Sequence, residues 1–242
     1  MNSVFEIDNG ILIKYHGEDD EVIVPDGVIK IGSEAFENNV NLRSIDLSES
    51  VVSIGRFAFF GCKSLVSINL PNSLKTIEEK AFRDCTNLFD ITLPNGITNI
   101  ESDMLDFCDN LEEITIYGEV FTLEDIIDEY NWSEIAEDYD IDEDEICNLT
   151  IAVHNTLVED LLKLLINGDF DKLYMPEDLR YEIIANVLKH KPANINFLKM
   201  AKEHITELTP YLTENPEVIQ YINENIWFRS ELSGGYYPPL QK

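Results

Sequence analysis

The sequence predicts an α+β protein made of two parts, a β-solenoid in the first half and an all-α helical array in the second. Two observations support this prediction. Apolar residues in four segments of the first half follow one pattern that recurs every 23 residues. Beyond Tyr117 that period is absent, and apolar residues recur every three or four positions, as they do on the buried face of a helix.

Each repeat contains the pattern of a short strand. The four segments begin at Asn41, Ser64, Asn87 and Asn110 and read NLRSIDL, SLVSINL, NLFDITL and NLEEITI. Alternating apolar residues predict strands with one buried face, and a coil of this kind shields its apolar edge only against neighbouring coils. Repeats of about 20 to 29 residues with such a core are typical of a leucine-rich solenoid. The residues expected to face inward are Leu42, Ile45, Leu47, Leu65, Ile68, Leu70, Leu88, Ile91, Leu93, Leu111, Ile114 and Ile116.

The rest of each coil also repeats. A proline beside Asn, Asp, Ser or Gly predicts a turn after each strand, except in the second coil, which has Ser48 at that position. An Ala-Phe pair recurs as Ala35-Phe36, Ala58-Phe59 and Ala81-Phe82, and Met104-Leu105 replaces it in the last coil. Rings at one depth in successive coils are expected to stack as a spine.

A solenoid needs its ends covered, because an open end exposes core residues and unpaired strand edges. At the N-terminal end, Asp8-Asn9-Gly10 separates two alternating apolar segments and predicts a β-hairpin with a type I′ turn. We expect this hairpin to cap the first coil, whose strand is predicted within residues 21–25. The change to Met104-Leu105 marks the other end.

The pattern IPxxVxxIxxxAFxxCxxLxxIxLP, clearest between Leu70 and Leu93, resembles the BspA-type leucine-rich repeat family over residues 4–116. That resemblance implies a right-handed solenoid of strands joined by short helices or turns, used for protein recognition and often displayed on bacterial surfaces as an adhesin. It also implies a non-catalytic interaction scaffold. The helical half contains no repeat signature that identifies a family.

Proline and glycine divide the second half into short helices. A capping box at Thr122 predicts the first helix start, and a later apolar stripe ends at Gly168. Pro176, Pro192 and Pro216 are each expected to open a further helix. The apolar residues of these segments are Leu123, Ile126, Ile127, Tyr130, Ile146, Leu149, Val153, Leu157, Leu161, Leu164, Leu165, Ile183, Ile184, Val187, Leu188, Ile195, Leu198, Met200, Ala201, Val218, Ile219, Ile222 and Ile226.

These patterns predict four divisions of the chain. Residues 1–117 form the capped solenoid, and residues 118–145 form an acidic linker with the first helix. Residues 146–232 form the helical domain, in which short helices joined by brief connectors are expected to stack as antiparallel pairs. Residues 233–242 form a flexible tail.

The composition excludes several classes of partner. Lys and Arg number 17 against 47 Asp and Glu, a formal net charge of −30, so phosphate backbones and anionic head groups should repel the chain. The expected partner is a protein or peptide with a basic surface, not a nucleic acid. No export signal and no apolar run of ~18 residues occur in the sequence, which favours a cytoplasmic protein without a membrane span. A secreted or cell-surface protein that has lost its signal is the alternative.

No catalytic or metal-binding motif occurs in the sequence, and neither a cofactor nor a metal is expected. Cys62, Cys85 and Cys108 recur at the repeat period where a small apolar side chain fits, so a buried thiol ladder is favoured over a metal or redox site. Cys147 and His154 are separated by about 10 Å of helical rise, too far for a catalytic pair.

The acidic stretch 119–145 contains 13 carboxylates and no Lys or Arg. Its alternating aspartates resemble a calcium loop that begins at Asp138. In such a loop, however, Glu143 would replace the turn glycine and Leu149 would replace the bidentate glutamate. A solvated linker is therefore favoured, and weak binding of a cation or of a basic partner is the alternative.

The outward positions of the strands form the candidate binding face. Hydroxyls, amides and carboxylates are expected to line a continuous sheet there, which suits a polar peptide or a basic protein surface. Three aromatic residues outside the buried pattern are further candidates, as binding hot spots. The candidates on the face are Ser44, Asp46, Ser67, Asn69, Asp90, Thr92, Glu113 and Thr115, and the aromatic candidates are Phe57, Phe60 and Phe89.

The sequence thus predicts a non-catalytic protein–protein interaction scaffold that uses the sheet face. One alternative is a secreted or cell-surface adhesin of the same repeat family. Another is an enzyme whose site is built from dispersed residues of the helical half. That alternative requires a concave pocket there, lined by ionisable groups with shifted pKa values.

Overall fold

The computed structural model describes residues 4–101, 103–122, 155–171, 173–213 and 215–232, with side chains as far as residue 225. Within these residues, twelve short strands precede a set of helices. The strands are β1 (Phe5–Asp8), β2 (Ile11–Tyr15), β3 (Glu21–Ile23), β4 (Lys30–Ile31), β5 (Ser44–Asp46), β6 (Ser53–Ile54), β7 (Ser67–Asn69), β8 (Thr76–Ile77), β9 (Asp90–Leu93), β10 (Asn99–Ile100), β11 (Glu113–Ile116) and β12 (Glu119–Thr122).

The strands form three sheets that run along a solenoid. One has six strands in the order β1-β2-β4-β6-β8-β10, and two have three strands each, in the orders β3-β5-β7 and β12-β11-β9. Strands from successive coils are parallel and pair at the 23-residue period, as in Ile31↔Ile54 and Ile45↔Ile68. The predicted solenoid is confirmed.

The predicted N-terminal cap is also confirmed. β1 and β2 form an antiparallel hairpin whose turn residues, Asn9 and Gly10, have φ angles of 48° and 80°. Positive φ at both central residues is what a type I′ turn requires. β2 pairs in parallel with β4 through Leu12 and Ile31. The hairpin therefore continues the six-stranded sheet beyond the first coil and covers its end.

Equivalent leucines of the repeat lie at the same depth, as the period predicts. Leu42, Leu65 and Leu88 are 0% exposed and Leu111 is 2% exposed. Each fills the same place in its coil, so removing one leaves a cavity against both neighbours.

The repeated phenylalanines form the predicted spine. The Phe36 and Phe59 ring centroids lie 5.1 Å apart and those of Phe59 and Phe82 lie 5.2 Å apart, with interplanar angles of 13° and 4°. Tyr15 of the cap stacks on Phe36 at 5.1 Å and so extends the spine into the hairpin. Leu105 is buried where the next ring would lie.

The loops 32–43, 55–66, 78–89 and 101–112 form the turn side of the solenoid. Two positions of each loop adopt the left-handed conformation, and glycine occupies only one of the eight. The reversals of backbone direction let successive loops bond to one another, as in Phe36 N–H to Ala58 O and Phe59 N–H to Ala81 O, both at 2.8 Å. The left-handed residues are Glu34, Asn38, Phe57, Gly61, Lys80, Asp84, Asp103 and Phe107.

The described part of the second half contains five α-helices. The stripe that ends at Gly168 is confirmed, because Gly168 is left-handed at φ 76° and its N–H donates to Lys163 O. The last turn before it, Lys163–Asn167, is a π-helix. The α-helices are α1 (155–162), α2 (Glu177–Lys189), α3 (Ile195–Glu203), α4 (Ile205–Leu208) and α5 (Pro216–Leu232), and a 3-10 turn covers Thr209–Leu212.

Two of the three proline predictions are confirmed and one is wrong. Pro176 immediately precedes α2, and Pro216 is the first residue of α5. Pro192 does not open α3. Asn194 caps that helix instead, because its side-chain oxygen accepts the N–H groups of Asn196 and Phe197.

The helical region packs on the fourth coil of the solenoid through Asn194, which is 3% exposed. Its Nδ2 donates to Ile97 O at 3.3 Å and to Ile166 O at 2.9 Å. Its Oδ1 accepts the N–H groups of Asn196 and Phe197 at 2.8 and 3.2 Å. One amide therefore joins the fourth coil, the end of the π-turn and the start of α3.

Other contacts broaden this junction. His190 Nε2 at the end of α2 lies 2.8 Å from Glu119 Oε2 of β12. The Tyr117 and Phe197 rings lie 5.9 Å apart. The apolar core is continuous from the solenoid into the helices.

Several predictions fall on residues outside those described. These are the helix start after Thr122, the acidic loop at Asp138, the pair Cys147 and His154, and the tail 233–242. β12 lies beyond the solenoid boundary predicted at residue 117 and pairs with β11. The division of the chain into domains stays a prediction.

Candidate binding face

One strand of each coil lies on the same side of the solenoid, and these strands are β3, β5, β7, β9 and β11. We call their solvent-facing surface the sheet face. Alternation along each strand buries Ile45, Ile68, Ile91 and Ile114 and leaves their neighbours at the surface. Of the eight predicted face residues, six are exposed, and Ser44 and Thr115 are half-buried.

Pairing brings these side chains together in rows. Ser44 pairs with Ser67 and Asp46 with Asn69. On the C-terminal sheet, Asp90 pairs with Glu113 and Thr92 with Thr115. The structure thus places the eight residues on one surface, in two groups of four.

The first coil adds two residues that the sequence analysis left out. Glu21 pairs with Ser44 and Ile23 with Asp46, so both rows continue onto β3. Ile23 is 74% exposed. The signal was present, because these residues precede Ser44 and Asp46 by one repeat.

The expectation of one continuous sheet is wrong. β7 and β9 do not pair, and the face is divided between them into two three-stranded sheets. The coils stay joined at the strand entrance, where Phe89 N–H donates to Val66 O at 3.2 Å. β9 and β11 have four residues, matching the four of β12, whereas β3, β5 and β7 have three. The break falls where the strand length changes.

Two shallow depressions lie on the face. One, of about 330 Å³, lies at the break and is bordered by Asp46, Asn69 and Asp90. The other, of about 370 Å³, lies beside it and is bordered by Asp20, Glu21 and Arg43. Of the described residues on the two rims, Arg43 is the only basic one. Ser44 and Ser67 line both depressions.

The carboxylates of the sheet face have no cationic partner. Among the described residues, Glu21, Asp46, Asp90 and Glu113 take part in none of the ion pairs. Within the described structure, no paired cation offsets the repulsion between these carboxylates. A cation brought by a partner would relieve that repulsion.

On the turn side, by contrast, several carboxylates pair with basic side chains, either of another coil or of the same coil. Arg56 lies 3.2 Å from Glu79, Lys80 lies 2.6 Å from Glu79, and Arg83 lies 2.7 Å from Asp106. The hydrogen bond from Lys80 holds the pKa of Glu79 below its usual value.

Glu78 belongs to the same network and contacts two other coils. Its carboxylate accepts Lys30 Nζ and the backbone N–H of Arg56. Burial on its own would raise the pKa of Glu78, but these two hydrogen bonds outweigh it and lower the pKa.

The three aromatic candidates do not form one group. Phe57 and Phe60 are half-buried on the turn side, where they meet edge-to-face at 5.4 Å and the Arg56 guanidinium covers Phe57 at 4.7 Å. Phe89 is 43% exposed and lies next to Val66, which is 41% exposed, at the entrance of the strands. Val66 was missed, although it occupies the position of Phe89 one repeat earlier.

The repeated cysteines lie inside the coils. Cys62, Cys85 and Cys108 are 0% exposed, and each Sγ donates to the carbonyl of a spine residue one coil before it. Burial raises the pKa of the Cys62 thiol to about 12 and raises that of the other two as well. Protonated thiols in this setting are poor metal ligands and poor nucleophiles.

A separate depression of about 580 Å³ lies in the helical region. Lys163, Asp169, Glu203 and His204 are among its lining residues. In the described part of the chain, no three His, Cys, Asp or Glu side chains are grouped in a way that could hold a metal ion. Nor does any helix there have the length and apolar character needed to cross a bilayer.

Comparison with known proteins agrees with this architecture. Residues 15–130 match the BspA type leucine rich repeat region in six copies. This part of the chain is therefore a BspA-type leucine-rich repeat region, a class of solenoid that typically serves as a protein-interaction or surface-protein scaffold. No functionally curated protein matches the chain.

Several solved bacterial structures are similar to it. A leucine rich cell surface protein from Faecalibacterium prausnitzii is 34% identical over 45% of this chain and 29% of its own, with a TM-score of 0.42. The pneumococcal vaccine antigen PcpA is 31% identical over 46% of this chain and 28% of its own, at 0.44. A T. pallidum leucine rich repeat protein is 28% identical over 43% and 62%, at 0.37. The chain thus spans less than two thirds of each of these proteins.

Proposed function

We propose that this protein is a non-catalytic recognition scaffold whose sheet face binds a basic surface of a protein or peptide. The observation that carries the proposal is the contrast in charge pairing. Several carboxylates on the turn side pair with basic residues, whereas the four carboxylates of the sheet face, Glu21, Asp46, Asp90 and Glu113, pair with none among the described residues. Unpaired charges on one face favour association with a surface of opposite sign and raise the rate of encounter.

The shape of the face supports the same proposal. Parallel strands from five coils hold the outward side chains on rigid backbone, so little ordering entropy is lost on binding. Hydroxyls and amides between the carboxylates supply hydrogen bonds without adding charge. The exposed pair Val66 and Phe89 at the edge of the face supplies apolar area for a hot spot.

Charge reversal on two surfaces tests the proposal. Proteins of the source organism would be captured on wild type, on Asp46→Lys/Asp90→Lys and on Glu34→Lys/Glu37→Lys. Both variants change the net charge equally. The control is conformationally matched, because Lys80 and Arg83 occupy the positions of Glu34 and Glu37 two coils later.

We expect partners that bind wild type and the control to be lost from the sheet-face variant, and their retention on wild type to fall with rising salt. Equal capture by all three proteins would place recognition elsewhere. Equal loss from both variants would show that the interaction depends on the net charge of the protein and not on the sheet face.

We also infer a location in the cytoplasm. Cys62, Cys85 and Cys108 are free thiols, which is the ordinary state of cysteine in a reducing compartment. Surface proteolysis of intact cells that express the native gene checks this inference. Protection of the protein is the expected result, and cleavage without lysis would support the adhesin alternative.

A further inference from the structure

The two depressions of the sheet face adjoin each other, because Ser44 and Ser67 line both, and we call them together the trough. The depression at the break extends across the parallel strands β5, β7 and β9, from Asp46 to Asp90. An occupant therefore lies transverse to the strands.

The floor of the trough is most open at the break. Ile68 is 8% exposed and Leu70 is 9% exposed, whereas the equivalent Ile91 and Leu93 of the next coil are 1% and 2% exposed. The unpaired edge of β7 thus exposes apolar atoms beneath a polar rim. Such a site accepts the aliphatic stem of a long side chain whose head group meets the rim.

The rim favours a cationic head group. Asp46 and Asp90 stand on opposite sides of β7, and the rim of the depression at the break includes the Asn69 side chain and several hydroxyls but no Lys or Arg. Carboxylates, hydroxyls and amide oxygens all accept hydrogen bonds, and Arg and Lys side chains have only donors.

The distance between the two carboxylates indicates the conformation of the partner and the spacing of its basic residues. β5 and β9 are two strand spacings apart, about 10 Å, and Asp90 is offset from the row of Asp46 by two residues, so the two Cα positions are roughly 12 Å apart. In an extended chain, side chains on one face are about 7 Å apart at i and i+2 and about 13 Å apart at i and i+4. An extended segment therefore matches Asp46 and Asp90 with basic residues at i and i+4.

We propose that the partner lies in the trough, across the strands, as an extended segment with two basic side chains four residues apart, one against Asp46 and the other against Asp90. This inference rests on the proposed function and adds the conformation and the spacing of the basic residues.

Two synthetic probe peptides of equal composition test the spacing. Both contain two arginines among Val, Thr and Ser, which favour extended structure. In the first the arginines are at i and i+4, and in the second they are adjacent. Each is titrated into ¹⁵N-labelled protein while amide chemical shifts are recorded.

We expect the spaced peptide to bind about five- to tenfold more tightly than the adjacent one, the size of effect expected for one or two partly exposed ion pairs. Its largest shifts should map to β5, β7 and β9. Asp46→Asn/Asp90→Asn should remove that preference, and the control Glu34→Gln/Glu37→Gln should keep it.

Equal affinity for the two peptides, absence of binding by both, or a preference that survives Asp46→Asn/Asp90→Asn would each overturn the inference. None of these results decides the proposed function, because partner capture by the charge-reversed proteins is scored separately. Loss of capture together with equal peptide affinities would retain the sheet face as a binding surface and exclude an extended partner.

Discussion

The turn side and the sheet face belong to the same coils, yet their residues follow different rules. At the buried positions of the turn side the same residue types recur from coil to coil, because each stacked ring fits against an identical neighbour and each thiol donates to the carbonyl of a spine residue. On the sheet face the outward positions vary along the solenoid, for example from Ser44 to Asp90 and from Asp46 to Thr92 over two coils. Repetition therefore identifies the residues that hold the fold, and variation at exposed positions identifies residues that are free to recognise a partner.

The largest expected effect is the loss of a spine ring. Phe59→Ala removes a fully buried ring that stacks on Phe36 and Phe82 and should lower the free energy of unfolding by about 3 to 5 kcal/mol. Phe89→Ala removes an exposed ring of the same size and should change it by less than about 0.5 kcal/mol. Urea unfolding of both variants measures the difference. Comparable losses would contradict the division between the two surfaces.

The junction with the helices gives the next effect in size. Asn194→Ala leaves two carbonyls and two N–H groups without their partner and should cost about 2 to 4 kcal/mol. Tyr117→Phe is the matched control, because the Tyr117 hydroxyl is buried without a hydrogen-bond partner among the described residues. Burial raises the pKa of this hydroxyl and the nearby Asn194 lowers it by a smaller amount, but the Asn194 amide already makes four other hydrogen bonds.

Tyr117→Phe should therefore leave the unfolding midpoint unchanged or raise it. A loss similar to that of Asn194→Ala would show that the Tyr117 hydroxyl is paired. A small loss for Asn194→Ala would show that the helices are held to the solenoid mainly by apolar packing.

The buried thiols give a smaller effect, seen in reactivity. In a Cys147→Ser background, the three remaining cysteines should resist an alkylating reagent at pH 8 and all react after unfolding, because burial raises each pKa. Because the pKa of each thiol is higher in the folded state than in the unfolded state, the free energy of unfolding should fall as pH rises past the pKa of the unfolded state, here above roughly pH 8.5. Rapid labelling of the native protein would contradict the burial of the ladder.

The contrast between repeated and unique contacts also explains how much the sequence predicts. The leucine ladder and the ring spine are predictable because the residues that form each contact recur in several coils. One structural pattern therefore has to fit all of those coils. Asn194 occurs once, and its four partners lie in three different elements, so no local pattern points to it. The sequence predicts a helix start at Pro192 because proline is the stronger local signal.

The candidate face shows the same limit. The period predicts which strand residues point outward, and the structure places all eight on one surface. The break between β7 and β9 depends on how a three-residue strand meets a four-residue strand, a property of two neighbouring coils that neither sequence segment specifies.

The most direct test of the central claim compares two double neutralisations that change the net charge equally. Glu78→Gln/Glu79→Gln removes carboxylates whose pKa values are lowered in the folded state, so it should lower the melting temperature at pH 7, with the difference disappearing as pH falls below about 4.5. Asp46→Asn/Asp90→Asn removes carboxylates without a partner and should leave the melting temperature unchanged or raise it. A melting temperature lowered as much by the sheet-face pair as by the turn-side pair would contradict the account, because it would mean that these carboxylates hold the fold.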